Sequence, residues 1–140
     1  MIVLDASVLV KWIKEDEEDA DKARLLYFRH KNNNEKIVVP YLIFIELANY
    51  LATKSQTSKI LIEKALNYLF DIDLGVYQVE RNDLIEAAVL AKQYKTSVYD
   101  MLYALIAKRH KTLLVTADER FVKVTKFPFV KTLSEYKPKI

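Results

Sequence analysis

Short apolar segments that alternate with longer helical ones are the feature that most constrains the fold. The segments at 2–4, 36–39, 75–79 and 112–116 are apolar without strict alternation of polar and apolar residues. Strands of a parallel sheet have this pattern because helices cover both of its faces. We therefore predict an α/β protein, a three-layer α/β/α sandwich with a parallel sheet of four or five strands. The fifth strand is predicted at 129–132.

Helices are predicted in the segments between these strands. Ser7 and Asn82 are placed to cap helices, because their side chains can accept hydrogen bonds from free first-turn amides. Pro40 stands where a helix would begin. The predicted helices are a short one after Ser7, then 15–31, 41–54, 58–71, 83–94, 97–110 and a short one after Asp118. No composition shift or linker interrupts the pattern, so one domain over residues 1–140 is expected.

Composition excludes several classes of catalytic site. The chain has one glycine, so phosphate-binding loops and nucleophile elbows that need two or more glycines are ruled out. It has no cysteine, which excludes disulfides, thiolate zinc sites and cysteine nucleophiles. Its two histidines are too few for histidine-rich metal motifs. Carboxylates and hydroxyls remain as the groups that could carry chemistry.

The charge of the chain is weakly basic. Its 22 basic and 19 acidic residues give a net charge of +3, which is compatible with a polyanionic partner but does not require one. No uncharged apolar run reaches the roughly 18 residues of a membrane helix, so no membrane span is predicted. The apolar opening run lacks a basic leader and contains Asp5. A cytoplasmic location is the resulting expectation.

Four acidic residues stand in apolar surroundings: Asp5, Glu46, Asp100 and Asp118. Asp5, Asp100 and Asp118 could each cap a helix, which is the simpler interpretation of any one of them alone. Glu46 is the only charged residue from 37 to 53, in a helix whose apolar composition predicts burial on nearly every side. A buried carboxylate is costly without a partner, so the alternative for Glu46 is a buried ion pair with arginine or lysine.

The four acids would repel each other if they met at the carboxyl edge of the sheet, unless a cation lay between them. Ligand sets made only of oxygen select hard divalent cations such as Mg²⁺ or Mn²⁺. Ser7 and Thr116 lie two residues from acids and could support such a site, or could simply be caps. Asp71 and Asp73 precede Gly75 and are predicted to be turn residues instead.

These residues occur in segments that carry a family resemblance. The segments are IVLDASV, VVPYLIFIELAN, SVYDMLYALIA and LLVTADERF. In order and spacing, over essentially the whole chain, they resemble the PIN-domain family, and most closely its VapC-type toxin ribonucleases from prokaryotic toxin–antitoxin pairs. The resemblance implies a parallel α/β/α sandwich, a homodimer, RNA cleavage dependent on Mg²⁺ or Mn²⁺, and a cognate antitoxin that blocks the site. It assigns metal-binding and catalytic roles to Asp5, Glu46, Asp100 and Asp118, with Ser7 and Thr116 as supporting hydroxyls.

An RNA substrate would need basic and aromatic contacts near the acids. Residues near the motif ends that could bind phosphates, or could be ordinary solvated lysines and arginines, are Lys11, Lys14, Arg120, Lys123 and Lys126. Tyrosines that could stack on bases, or could pack in the core or a dimer interface, are Tyr41, Tyr99 and Tyr103.

Three other functions remain open from the sequence. A non-catalytic PIN fold that binds RNA or a protein would share the same residues. A Mg²⁺-binding receiver domain would need adjacent acids after the first strand and an acceptor aspartate after the third, where this chain has Val79, Glu80 and Arg81. A phosphatase of the haloacid dehalogenase type would need a second aspartate where Ser7 stands.

Overall fold

Five parallel strands and seven helices are present in the computed structural model, which describes residues 1–14, 16–54 and 56–139. In chain order they are β1 Ile2–Leu4, α1 Ala6–Ile13, α2 Ala20–Lys31, β2 Ile37–Pro40, α3 Leu42–Thr53, α4 Lys59–Phe70, β3 Gly75–Tyr77, α5 Arg81–Tyr94, α6 Val98–Arg109, β4 Leu113–Thr116, α7 Glu119–Thr125 and β5 Val130–Thr132. The predicted α/β class is confirmed, and so is the fifth strand. Among these helices none has both the length and the apolar character needed to cross a membrane.

The sheet has the strand order β3-β2-β1-β4-β5, with β1 at its centre. All four pairings are parallel. The chain adds β2 and β3 on one side of β1, then returns and adds β4 and β5 on the other side. The junction between β1 and β4 is therefore the point where the strand order reverses, and ligands of open α/β sheets bind outside the strand ends at such a point.

Helices cover the sheet in two layers. Right-handed crossovers place α1 to α4 on one face, because β1, β2 and β3 follow each other in one direction. The return to β4 and β5 places α5, α6 and α7 on the opposite face. Helix α6 packs across β1, β2 and β4 and is covered by α5, so every residue from Met101 to Ala107 is buried. This explains why α6 has no continuous polar face in its sequence.

Three details at the starts of helices differ from prediction. Asp5, not Ser7, occupies the N-cap position of α1, and the Ser7 hydroxyl donates to the Asp5 carboxylate instead. Helix α5 begins after Glu80, whose backbone amide donates to the Asp83 side chain, so Asn82 is not its cap. Pro40 is the last residue of β2 and not the first of a helix. The Ser7 hydroxyl also accepts from the distant Ala117 amide, and Pro40 pairs with Tyr77 in the sheet. Helix α5 instead begins with a local capping box of Glu80 and Asp83.

The predicted helix bounds also needed correction around α2 and α3. Helix α2 begins at Ala20, five residues after the predicted start at Glu15, which lies outside the described residues. The composition of α3 predicted burial on nearly every side, and the structure contradicts this prediction. Ile45 is 58% exposed and Tyr41, just before the helix, is 55% exposed. Part of the apolar surface of α3 therefore faces solvent in the single chain.

Helix α3 offers a matched test of the core. Leu47 is completely buried, whereas Leu61 on α4 is 53% exposed. Leu47→Ala should lower the free energy of unfolding by about 2–5 kcal/mol, because it removes buried methyl groups and leaves a cavity. Leu61→Ala should change it by less than about 0.5 kcal/mol. Urea denaturation of both variants measures the difference, and equal effects would contradict the packing of α3 described above.

Candidate active site

The centre of the candidate site lies where β1 and β4 end side by side. Leu4 pairs with Val115, which brings Asp5 next to Thr116. Asp5 is only 7% exposed, and its carboxylate accepts hydrogen bonds from the hydroxyls of Ser7 and Thr116, each at 2.5 Å. The structure brings these three residues together across the reversal point of the sheet, whereas the sequence had linked Thr116 only to Asp118.

The two hydroxyls are themselves held by the backbone. The Ala117 amide donates to Ser7 Oγ at 2.9 Å, and the Asp118 amide donates to Thr116 Oγ1 at 3.0 Å. The oxygens of Ser7 and Thr116 lie 3.4 Å apart. Each hydroxyl accepts from the loop after β4 and donates to Asp5, so the orientation of the carboxylate is fixed by both strand ends.

Burial of Asp5 has an electrostatic consequence. Desolvation raises the pKa of its carboxyl from 3.8 to about 6, and the hydrogen bonds from Ser7 and Thr116 oppose this rise. The negative charge of Asp100 raises the pKa further. In the described part of the chain, no lysine, arginine or histidine forms an ion pair with Asp5. A buried carboxylate with only neutral partners favours the approach of a cation from outside.

Glu46 on α3 is half-buried and bound by a tyrosine. The hydroxyl of Tyr103, a residue only 1% exposed on α6, donates to Glu46 Oε1 at 2.7 Å. Burial raises the pKa of Glu46 most, the charge of Asp100 raises it further, and the Tyr103 hydrogen bond and the Lys54 charge oppose the rise. The alternative of a buried ion pair is not supported, since within the described ranges no cation lies at ion-pair distance from Glu46.

Asp100 is the acid that interacts with the other three. It lies in the first turn of α6, and its backbone amide donates to the Ser97 hydroxyl at 3.0 Å. Burial raises its pKa most, and the charge of Asp118 adds to the rise, whereas the Ser97 hydrogen bond and the Arg120 charge lower it. Asp100 also raises the pKa values of Asp5 and Glu46. The four acids therefore belong to one electrostatic cluster.

Asp118 caps a helix, which was the simpler interpretation of this residue from the sequence. It is the N-cap of α7, and its Oδ1 accepts a hydrogen bond from the Phe121 amide at 3.0 Å. Its charge also acts on Asp100, as described above. A cap and a member of the acidic cluster are compatible roles, because one oxygen of the carboxylate takes the cap bond and the other does not.

The oxygen donors fit a hard divalent cation in chemistry, but the side chains are not gathered around a single point. Among residues 1–14, 16–54 and 56–139, no three acidic or histidine side chains are close enough to hold one ion together. The donor set itself, carboxylates and hydroxyls at the strand ends without a basic partner for Asp5, is the set that Mg²⁺ and Mn²⁺ prefer.

A cleft of about 570 Å³ opens beside the acids. It lies between α1, α3 and the start of α6, and its polar lining is formed by Ser7, Glu46, Asn49, Tyr50, Lys54 and Tyr99. Its volume is within the roughly 300–1,000 Å³ of small-molecule sites. The cleft gives a ligand direct access to Glu46, and Lys54 is a positive charge at its wall.

The predicted RNA-binding residues occupy different environments. Lys11 is buried, and its ammonium donates to the Glu18 carbonyl at 2.6 Å, so it is not placed to contact a phosphate. Lys14 lies over the ring of Tyr50, with its nitrogen 6.0 Å from the ring centre, at the edge of the cleft. Arg120, Lys123 and Lys126 are exposed around α7, and the charge of Arg120 acts on Asp100.

Two residues of the site were missed or left open by the sequence. Tyr103 is neither solvent-exposed nor available to stack on a base, because it is buried and binds Glu46. Its position three residues after Asp100 puts both on one side of α6, a spacing that could have linked them. Nothing in the sequence indicated that Lys54 belongs to the site, because a lysine at the end of a helix is common. Its proximity to Glu46 depends on the fold.

Comparison with known proteins identifies the family. The family model of the PIN domain matches residues 2–127, and the chain therefore belongs to the PIN-domain family. This membership sets aside the receiver-domain and phosphatase alternatives. No curated protein sequence matches the chain significantly.

Solved structures with the same fold are distant in sequence. A chain of a toxin–antitoxin complex from Klebsiella pneumoniae is 14% identical with a TM-score of 0.68, and the match covers 97% of this chain and 100% of that chain. PAE2754 from Pyrobaculum aerophilum is 19% identical with a TM-score of 0.66, and the match covers 95% of this chain and 89% of that chain. At such identities the likeness concerns the fold.

The raised pKa of Asp5 predicts how stability depends on pH. The folded protein binds a proton at Asp5 more tightly than the unfolded chain, so ionisation between pH 3.8 and about 6 destabilises the fold. The destabilisation is complete above pH 6 and amounts to at most about 3 kcal/mol. Asp5→Asn should therefore gain stability relative to wild type as the pH rises from 4 to 7 in metal-free buffer. Urea denaturation at both pH values measures the gain, and a constant difference between the proteins would contradict it.

Proposed function

We propose that this protein is an endoribonuclease that hydrolyses RNA phosphodiester bonds with a carboxylate-bound Mg²⁺ or Mn²⁺, and that it is the toxin of a VapBC-type toxin–antitoxin system. The observation that carries the proposal is Asp5, a buried carboxylate at the reversal point of the sheet that has hydroxyl partners and no basic one. The charge of Asp100 acts on Asp5 directly, and Glu46 and Asp118 each interact with Asp100. PIN membership supports nuclease chemistry for this cluster.

In the proposed mechanism, a divalent metal would be held by Asp5, Glu46, Asp100 and Asp118. A bound divalent ion would polarise the phosphate and make water a better nucleophile near neutral pH. Ser7 and Thr116 orient Asp5, and Tyr103 holds Glu46 by one oxygen, which leaves Oε2 available. Both histidines bind backbone carbonyls outside the site, so the acids are the side chains placed to accept the proton that the attacking water would lose.

Basic residues around the acids are proposed to bind the RNA backbone. Lys14 and Lys54 lie at the cleft beside Glu46, and Arg120 and Lys123 lie beyond Asp100 and Asp118. Lysine and arginine contacts to phosphates fix the register of a nucleic acid. Lys11 is left out of the proposed contacts because of its burial.

The partners proposed for this protein follow from its relatives and its surface. The Klebsiella pneumoniae structure is a toxin–antitoxin complex, which supports a cognate antitoxin for this chain. Tyr41, Ile45 and Tyr99 are apolar or aromatic side chains exposed near the cleft, which favours a protein partner there, either the antitoxin or a second copy in a homodimer. A single domain over residues 1–140 and a cytoplasmic location complete the proposal.

Cleavage by a matched pair of variants tests the proposed activity. Asp100→Asn should lower the rate of RNA cleavage in Mn²⁺ by about 100-fold or more, since even residues that only orient metal ligands account for 10–100-fold. Asp71→Asn, an equal change at an exposed turn aspartate, should leave the rate unchanged. The assay uses a random-sequence RNA pool and total cellular RNA. Full activity of Asp100→Asn, or no cleavage of either substrate by wild type, would contradict the assignment.

Thermal unfolding with and without Mn²⁺ tests the metal site without any assumption about the RNA. A ligand in hundredfold excess over its dissociation constant stabilises the folded state by about 2.7 kcal/mol, which raises the midpoint by several degrees. Wild type and Asp71→Asn should show this rise, and Asp100→Asn should lose it. If wild type shows no rise, a non-catalytic PIN fold that binds RNA or protein becomes the better description.

A further inference from the structure

A second and larger cleft lies at the opposite edge of the sheet from the acids. Its volume is about 970 Å³. It is lined where the strands begin, by Met1 and Ile2 at β1 and by Thr112 and Leu113 at β4. The same two strands carry Asp5 and Thr116 at their other ends. This amino-edge cleft is therefore separated from the acidic cluster by the length of the strands.

Cations dominate the lining of the amino-edge cleft. Its basic side chains are Arg29, Lys108, Lys111, Lys137 and Lys139, and its one acidic side chain is Glu35. Glu35 is already neutralised, because it pairs with the Met1 amino group at 2.5 Å and accepts a hydrogen bond from Tyr136. Over the three described ranges, none of the four lysines forms an ion pair. Several positive charges without an ion-pair partner among the described residues therefore line one cleft.

Arg29 lines this cleft, and one of its donors is buried without a partner. Its Nη2 donates to the backbone carbonyls of Lys139 at 2.8 Å and Asn34 at 3.4 Å. Its Nε is buried and has no hydrogen-bond partner. Arginine is suited to bind phosphate or carboxylate groups through several donors at once. Here its charge meets carbonyl oxygens only.

Helix dipoles explain part of this arrangement but not all of it. Arg29 and Lys108 lie in the last turns of α2 and α6, where positive charge is favourable. Lys137 and Lys139 follow β5 in the terminal segment and belong to no helix, although the Lys139 carbonyl accepts a hydrogen bond from Arg29 in the last turn of α2. Their presence at the same cleft brings like charges together, which is unfavourable unless an anion binds between them.

We propose that the amino-edge cleft binds the phosphate backbone of RNA. Protein interfaces are depleted in lysine, whereas nucleic-acid interfaces are strongly positive, so four lysines favour a nucleic acid over an acidic protein. The half-buried rings of Phe129 and Tyr136 also line the cleft and offer faces for stacking bases. The inference rests on the proposed function only in taking RNA as the nucleic acid.

This cleft gives the protein an attraction for RNA that its acidic edge lacks. Four carboxylates repel a polyanion until a divalent cation neutralises them. The amino-edge lysines attract the backbone in the absence of any metal, at a separate surface. RNA long enough to contact both edges should bind more tightly than RNA that reaches the acidic edge alone.

RNA binding in EDTA tests the inference separately from cleavage. The probe is a fluorescein-labelled, random-sequence single strand of about 20 nucleotides, followed by anisotropy between 50 and 200 mM KCl. The triple variant Lys108→Gln, Lys111→Gln, Lys137→Gln should bind at least tenfold more weakly at 100 mM KCl. It should also lower the slope of log K against log salt by about 2, since each single-strand phosphate contact contributes roughly 0.7.

The matched control carries Lys59→Gln, Lys64→Gln and Lys92→Gln, three exposed lysines on α4 and α5 outside the cleft. It should bind RNA within twofold of wild type, and circular dichroism should show all three proteins equally folded. Equal losses in both triple variants would overturn the inference. So would competition by polyglutamate that matches unlabelled RNA at the same concentration of charge, because the cleft would then favour acidic protein.

The outcome is independent of the proposed activity. If Asp100→Asn abolishes cleavage and the lysine variant binds RNA normally, only the amino-edge site is wrong. If the lysine variant loses binding and wild type cleaves no RNA, the nuclease assignment is wrong and the amino-edge site remains.

Discussion

The site depends on the hydrogen bonds that join the end of β1 to the end of β4. Thr116 donates to Asp5 across the two strands, and Ser7 donates to the same carboxylate from the first turn of α1. These bonds hold an acid in a buried position where ionisation is unfavourable. Without them Asp5 could turn toward water. The strand order matters equally, because it makes β1 and β4 neighbours although more than 100 residues separate Asp5 from Thr116.

Much of the fold could be predicted because its signals are local and periodic. The apolar strand segments and the helix-length intervals between them indicate a parallel sheet covered on both sides, and the structure has that sheet. Errors occurred where tertiary contacts override local preference. Ser7 looks like a cap but donates to Asp5, and Pro40 looks like a helix start but pairs with Tyr77 in the sheet. The exposure of Ile45 could not be predicted, since composition does not tell which sides of a helix find neighbours.

The sequence proposes a set of site residues but not their geometry. Isolated acids in apolar segments pointed to Asp5, Glu46, Asp100 and Asp118. In the structure Asp100 acts electrostatically on Asp5 and Glu46, and Asp118 acts on Asp100. The partners of Glu46 could not be predicted in the same way. Tyr103 is 57 residues away in the chain, and only the folded structure reveals its hydrogen bond to Glu46. Likewise, Lys11 has the sequence context of a phosphate ligand, yet its ammonium is enclosed near α2.

Helix α6 connects the two edges of the protein. Asp100 lies in its first turn and Lys108 in its last, and the residues between Met101 and Ala107 are completely enclosed. A helix of this length extends about 18 Å, and its tight packing prevents sliding or bending. The helix therefore keeps its negative end and its positive end at a fixed distance from each other. The two ends are one helix length apart, so under the two proposals above only a polyanion long enough to span that distance would contact both edges.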